Sequence, residues 1–186
     1  MPTPPRQEAL DLLYEHTQGE SLRRHALAVE AAVRAYARFL GGDEAQWGLA
    51  GLLHDLDYER FPSLEDHPFR GVEILRERNY PEEIIHAVLA HASHTGTARL
   101  SQLDRVLFAC DELCGLIVAA ALVQPSKRLA DVKVSSVKKK LKDKAFARGV
   151  NREEIRLGVQ ELQVEMDEHV GRVLEALKSA APELGL

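Results

Sequence analysis

The chain is poor in the features that staple, anchor or pleat a protein. It has two cysteines, Cys110 and Cys114, in 186 residues. They stand four apart in a helical pattern and share a face. Buried free thiols are expected there, ahead of metal ligands or a disulfide, and this fits a reducing, cytoplasmic setting. No apolar run is long enough to cross a bilayer, so no membrane partner is expected. The N-terminus, Met1-Pro2-Thr3-Pro4-Pro5-Arg6, is followed by no apolar segment and does not read as a signal peptide. No stretch alternates convincingly as a β-strand. No internal repeat, low-complexity tract or long linker interrupts the chain.

What remains is an ordinary apolar content of 45% and a charged content of 28% in a length that suits one domain over residues 1–186. Apolar spacing near 3.6 dominates and predicts an all-α fold, a single-domain helical bundle. Residues 6–17 form a first helix after the prolines. Ser21 caps a second, ended by Gly41-Gly42 near Leu40. Asp43 caps a third that runs through Asp55. Residues 56–67 are a loop. Pro68 and Pro81 suit the starts of helices reaching about Asn79 and Ala92. Residues 94–97 form a loop. Ser101 opens a long apolar helix to about Val123. A basic helix spans about 135–147, Asn151 caps the next, and the final helix reaches about Ser179 and packs on the core by default.

The polar residues inside this pattern carry the chemistry. His54 and Asp55 end an apolar run, Trp47-Gly48-Leu49-Ala50-Gly51-Leu52-Leu53, where a charge is costly unless compensated. His25 lies among Leu22, Val29 and Ala32 at helical spacings that point inward. His91 shares a face with Ile84 and Val88, and Asp111 with Leu107 and Val118. One inward histidine is commonly a core residue bonded to backbone, and one inward aspartate a cap or the partner of a base. Several together would each need a partner, whereas one cation satisfies them all. His67 stands before Pro68, at the mouth of the loop. His94 follows His91 closely, and its role stays open. His16, His86 and His169 are expected at the surface.

The order His25, His54-Asp55, Asp111 resembles the HD-domain superfamily of metal-dependent phosphohydrolases over roughly residues 20–120. The segment His67-Pro68-Phe69-Arg70-Gly71-Val72-Glu73-Ile74-Leu75 is similar to the His-Pro-x-x-Gly-x-x-Ile-Leu stretch of many members. The resemblance implies an all-α fold with the metal between helices. It implies His25, His54, Asp55 and Asp111 as ligands of one ion; in two-metal members the aspartate of the pair bridges and further histidines hold a second, by motif position His67 and His91 here. The fullest two-metal pattern has adjacent histidines, whereas this chain has His91-Ala92. The Gly-Tyr-Pro signature of members that cleave cyclic di-GMP is missing, because Asn79-Tyr80-Pro81 falls before the helix of His91.

The expected reaction is hydrolysis of a nucleotide or another small phosphate ester. A mixed nitrogen and oxygen set accepts manganese, iron, nickel, cobalt or zinc. Besides Asp55, which can orient a water, Asp57 and Glu59 are candidate acid or base groups, with a solvated loop carboxylate as the alternative. Arg24 and Arg70 are candidates for the substrate phosphate, or else plain surface charges. Residues 127–148 carry nine Lys or Arg against two Asp, although the whole chain has a net charge of -5. That segment, with Lys138 and Lys142, reads as a positive wall steering a phosphorylated substrate, or as a solvated face. It lacks aromatic interleaving and a base-reading motif, so nucleic acid is not the expected main partner. Two further readings stand beside the enzyme: a metal- and ligand-binding regulatory module, and a di-iron oxygenase.

Overall fold

A computed structural model describes residues 3–186, and among these residues helices are the only regular structure. α1 (Arg6–His16) leads into α2 (Glu20–Leu40) and α3 (Glu44–Leu53). α4 (Phe69–Glu77) and α5 (Glu82–His91) follow, and then the long α6 (Gln102–Leu122). α7 (Val134–Lys142), α8 (Arg152–Leu162), α9 (Met166–Ser179) and the short α10 (Ala181–Leu184) complete the chain.

α2 buries Ala26, Val29, Ala32, Val33, Tyr36 and Ala37, a stripe at helical spacing. That stripe lies against α3, α6 and α9. α6 is the central post, touching α2, α3, α5, α7, α8 and α9. One cluster of buried apolar side chains runs from Ala9 of α1 to Leu184 of α10. Cys110 and Cys114 lie inside it as free thiols, and burial raises the pKa of both. Among the described residues no helix is long and apolar enough to cross a membrane.

Side-chain caps set the starts of three helices. Asp43 accepts the Gln46 N–H at 3.0 Å, and Ser101 with Asp104 forms a reciprocal capping box on α6. Asn151 accepts the N–H groups of Glu153 and Glu154 and starts α8. Ser21 does not cap α2. The helix begins at Glu20, and the Gln18 and Gly19 N–H groups donate to the Glu59 carboxylate at 2.5 and 3.2 Å. The basic helix stops at Lys142 instead of reaching residue 147. The chain beyond it turns back over the Arg152 guanidinium, which donates to the carbonyls of Lys140, Asp143, Phe146, Ala147 and Val150.

Two of the three histidines expected at the surface are inside. His169 is fully buried: Nε2 donates to the Ala109 carbonyl at 2.9 Å, and Nδ1 lies 2.6 Å from the Tyr36 hydroxyl. The carbonyl can only accept, so Nε2 carries the proton and Tyr36 donates to Nδ1. His16 is mostly covered, and burial lowers its pKa. His86 is part-exposed, with Nδ1 3.1 Å from Asp104.

Two tests follow from this packing. At Gly51 a Cβ would lie 3.0 Å from the backbone of Val29 and Glu30, so Gly51→Ala pushes α2 and α3 apart. The expected loss is about 1–3 kcal/mol in chemical denaturation. Burial lowers the His169 pKa from 6.5 to about 4. The unfolded chain therefore takes up this proton before the folded one does. Stability relative to His169→Gln is greatest above the unfolded pKa and falls as the pH drops toward 4. That difference should shrink by about 3 kcal/mol, read from urea midpoints across the window.

Candidate metal centre

Five helices or helix ends deliver six side chains to one place. His25 comes from α2, His54 and Asp55 from the end of α3, and His67 from the turn before α4. His91 closes α5, and Asp111 lies midway along α6. The absence of a side chain at Gly51 lets α3 approach the α2 backbone, and one turn later His54 Nε2 lies 3.2 Å from His25 Nε2. Asp111 Oδ1 is 2.9 Å from His25 Nε2 and 3.4 Å from His54 Nε2.

Asp55 divides its two oxygens between two histidine pairs. Oδ2 lies 3.3 Å from His54 and 3.8 Å from His25, whereas Oδ1 lies 3.5 Å from His67 and 3.6 Å from His91. Donor atoms each about 2.1 Å from one ion at tetrahedral to octahedral angles lie roughly 3.0–3.4 Å apart. The observed spacings are close to that, and three overlapping triads, His25-His54-Asp55, His54-His91-Asp111 and Asp55-His67-His91, have the reach to hold an ion.

The far nitrogens of three rings are already engaged. His54 Nδ1 donates to the Gly51 carbonyl at 2.8 Å, and His91 Nδ1 to the Val88 carbonyl at 2.5 Å. His67 Nδ1 donates to Asp57 at 2.7 Å. These bonds orient the rings and leave Nε2 as the lone-pair atom, the usual outer-shell arrangement of metal-binding histidines. A cation between these nitrogens and the two carboxylates resolves their crowding, so the residues fit a divalent metal. Without one, a proton serves. Burial pushes the His54 pKa down, but Asp55 and Asp111 outweigh it and hold it well above the usual value. Burial likewise raises Asp55 and Asp111, but His54 and its neighbours hold both well below the usual range.

Asp57 and Glu59 are corrected as acid or base candidates. The Asp57 carboxylate is buried and both its oxygens are spent, one on His67 and one on the Gly71 N–H at 2.7 Å. Gly71 permits this approach, since a Cβ there would lie 3.2 Å from the carboxyl carbon. Asp57 is therefore a positioning residue for His67. Glu59 braces the start of α2, as described, and does not line the cavity.

The proposed phosphate contacts lie elsewhere. Arg24 donates to the Leu184 carbonyl at 2.9 Å, and Arg70 pairs with Asp66 and Glu73. Lys138 pairs with Asp167, and Lys142 lines a separate cavity with Lys144 and Arg148 at the start of α8. The basic segment is thus not a wall of this site.

The cluster opens into a cavity of about 510 Å³. Sequence reasoning missed much of its rim: Tyr58 and Leu64 from the loop after Asp55, and Glu112 and Glu154 from α6 and α8. The Tyr58 ring stands edge-on to His67, with centroids 5.1 Å apart, and remains 41% exposed. Glu112 accepts the Asn151 N–H at 3.0 Å, and burial together with Asp111 raises its pKa to about 7. Its position directly after Asp111 was the one available signal. His94 also lines the cavity and donates from Nε2 to the His67 carbonyl at 2.7 Å.

Fold and site together define an all-helical protein with a histidine–aspartate centre shaped for divalent ions. A family model described as the HD domain matches residues 22–116, and the chain belongs to that family of metal-dependent phosphohydrolases. Among curated proteins it is similar to Ribonuclease Y of Desulfotalea psychrophila, with 31% identity over 140 residues, 73% of this chain and 26% of that protein. It is also similar to Ribonuclease Y of Mesoplasma florum, with 31% identity over 106 residues, 55% of this chain and 20% of the relative. The chain thus spans about a quarter or less of the length of these relatives. No solved structure gives a significant match.

The role of Asp57 can be tested by metal titration. If the triad of Asp55, His67 and His91 holds an ion, Asp57→Ala should weaken its binding by about 10- to 100-fold. Binding at His25, His54 and Asp111 should change little. Calorimetry that resolves two ions in the wild type and one in the variant at moderate concentration would bear this out.

Proposed function

We propose that this chain is a metal-dependent phosphohydrolase acting on a nucleotide or another small phosphate ester. The observation that carries the reading is the shared Asp55 carboxylate, with one oxygen toward His25 and His54 and the other toward His67 and His91. In this reading His25, His54, Asp55 and Asp111 hold one ion, and His67, His91 and Asp55 a second. Divalent ions in such a pair activate a water for attack and neutralise phosphoryl oxygens. The relatives, named as ribonucleases, support a reaction at a phosphate ester bond.

The chain's own residues prepare this chemistry. Asp57 and the Gly51 and Val88 carbonyls fix the imidazoles, so that no reorientation is required when substrate arrives. Asp55 and Asp111 stay ionised and accept from whatever donor enters the centre. Tyr58 and Leu64 give an uncharged surface beside the ligands. An ester's organic group, such as a nucleobase, rests there while its phosphoryl group faces the histidines.

Wild-type protein is expected to retain divalent metal by elemental analysis and to hydrolyse p-nitrophenyl phosphate, its bis ester or a nucleotide with manganese. His54→Ala and Asp55→Ala should lose the metal and at least a hundredfold in kcat/KM. Full metal content in either variant would contradict the site. Bound metal without turnover of any phosphate ester would favour a regulatory module, and two firmly held irons with oxygen consumption an oxygenase.

A further inference from the structure

The rim of the metal-centre cavity is acidic. Beyond the ligands Asp55 and Asp111 it presents Glu112 and Glu154, and no lysine or arginine lines it. The basic side chains near enough in sequence to be candidates are paired or turned to other surfaces, as described for Arg24, Arg70, Lys138 and Lys142. This is an unusual environment for a phosphate-binding cleft, since phosphoryl groups are ordinarily met by arginine or lysine.

We infer that the centre accepts substrates carrying a single phosphoryl group, as monoester or diester, and rejects di- and triphosphates, with Glu154 as a specificity determinant. The inference rests on the reading of the site as a two-ion phosphohydrolase. Two divalent ions would cancel the two ligand carboxylates and leave a surplus of two positive charges, which Glu154 on the rim erodes. A phosphate monoester carries about -1.5 to -2 at neutral pH, and each further phosphoryl group of a chain adds roughly one more negative charge. One phosphoryl group is met by the ions directly. A second and third would extend onto Glu112 and Glu154, onto the uncharged Tyr58 and Leu64, or toward Ser93 and His94, whose Nε2 is already engaged by the His67 carbonyl, and none of these surfaces supplies a fixed positive charge. Whatever its protonation, Glu112 supplies no positive charge.

Glu154 is the cleaner of the two to alter. Glu112 also fastens the Asn151 backbone, whereas the Glu154 side chain is half-buried on the first turn of α8. The experiment uses protein loaded with manganese and freed of excess ion. AMP, ADP and ATP are the probes in isothermal titration calorimetry, and metal content is measured before and after each titration. Wild type should bind AMP at least tenfold more tightly than ATP, with ADP between. Glu154→Lys should narrow the AMP-to-ATP ratio at least fivefold at unchanged metal content, and Glu154→Gln should narrow it less. ATP binding as tight as AMP in the wild type, or a ratio that Glu154→Lys leaves unmoved, overturns the inference. So does failure of all three nucleotides to bind the loaded protein. Wild-type protein that retains no manganese defeats the phosphohydrolase reading as well, which separates the two failures.

Discussion

α2 and α3 touch backbone to backbone at Gly51, and the metal centre is built outward from that contact. The α2 stripe of Ala26, Val29, Ala32 and Val33 already favours close packing. Gly51 takes it to the limit, because a methyl group there would press on the peptide of Val29 and Glu30. One turn on, His54 meets His25 on the neighbouring helix, and the Gly51 carbonyl sets the tautomer of His54. The same residue thus controls the distance between two histidines of the cluster and the orientation of one of them. Glu30, against which Gly51 packs, is buried and held by the Arg6 guanidinium, which ties α1 to the same joint.

Two further rings of the cluster are oriented in the same way. His91 and His67 are each aimed by a group that belongs to their own element or to the loop beside it. His91 is bonded within α5, and His67 leans on Asp57 ten residues earlier. The 54–68 segment is therefore not a passive connection. It carries His54, Asp55 and His67 of the cluster, the positioning carboxylate and the uncharged part of the rim, and its far side braces the beginning of α2 through Glu59. A long loop that carries function needs such internal ties, since it has little packing of its own.

The helices and five of the six clustered side chains were legible in the sequence because they lie where periodicity speaks, and His67, in a turn, was legible only through the His-Pro segment of the family resemblance. His25, His91 and Asp111 interrupt apolar stripes, and His54-Asp55 ends one. What was not legible lies where periodicity is silent. Asp57 reads from the sequence as a candidate acid or base or else a solvated loop carboxylate, since no spacing rule reports that Gly71 would bring its N–H to it. Glu154 reaches the rim from a helix far along the chain, and nothing local marks it. His169 was misjudged for another reason: it follows Met166 by three and precedes Val173 by four, so it shares their inward face, but it was taken for a polar residue on the outer one. The basic segment misled because charge composition states an amount and not a direction.

The chain between α7 and α8 has one further consequence. Five of its carbonyls, or those of its flanks, converge on the Arg152 side chain, which adds to the partial packing of Phe146, Ala147 and Val150 on the core. A turn organised around its own backbone leaves most of its side chains facing solvent. Substitution of the exposed ones should leave the path of the chain intact, provided the guanidinium stays. Because Arg152 also opens the helix that bears Glu154, the lip of the cavity stays steady while the outer surface is free to diversify.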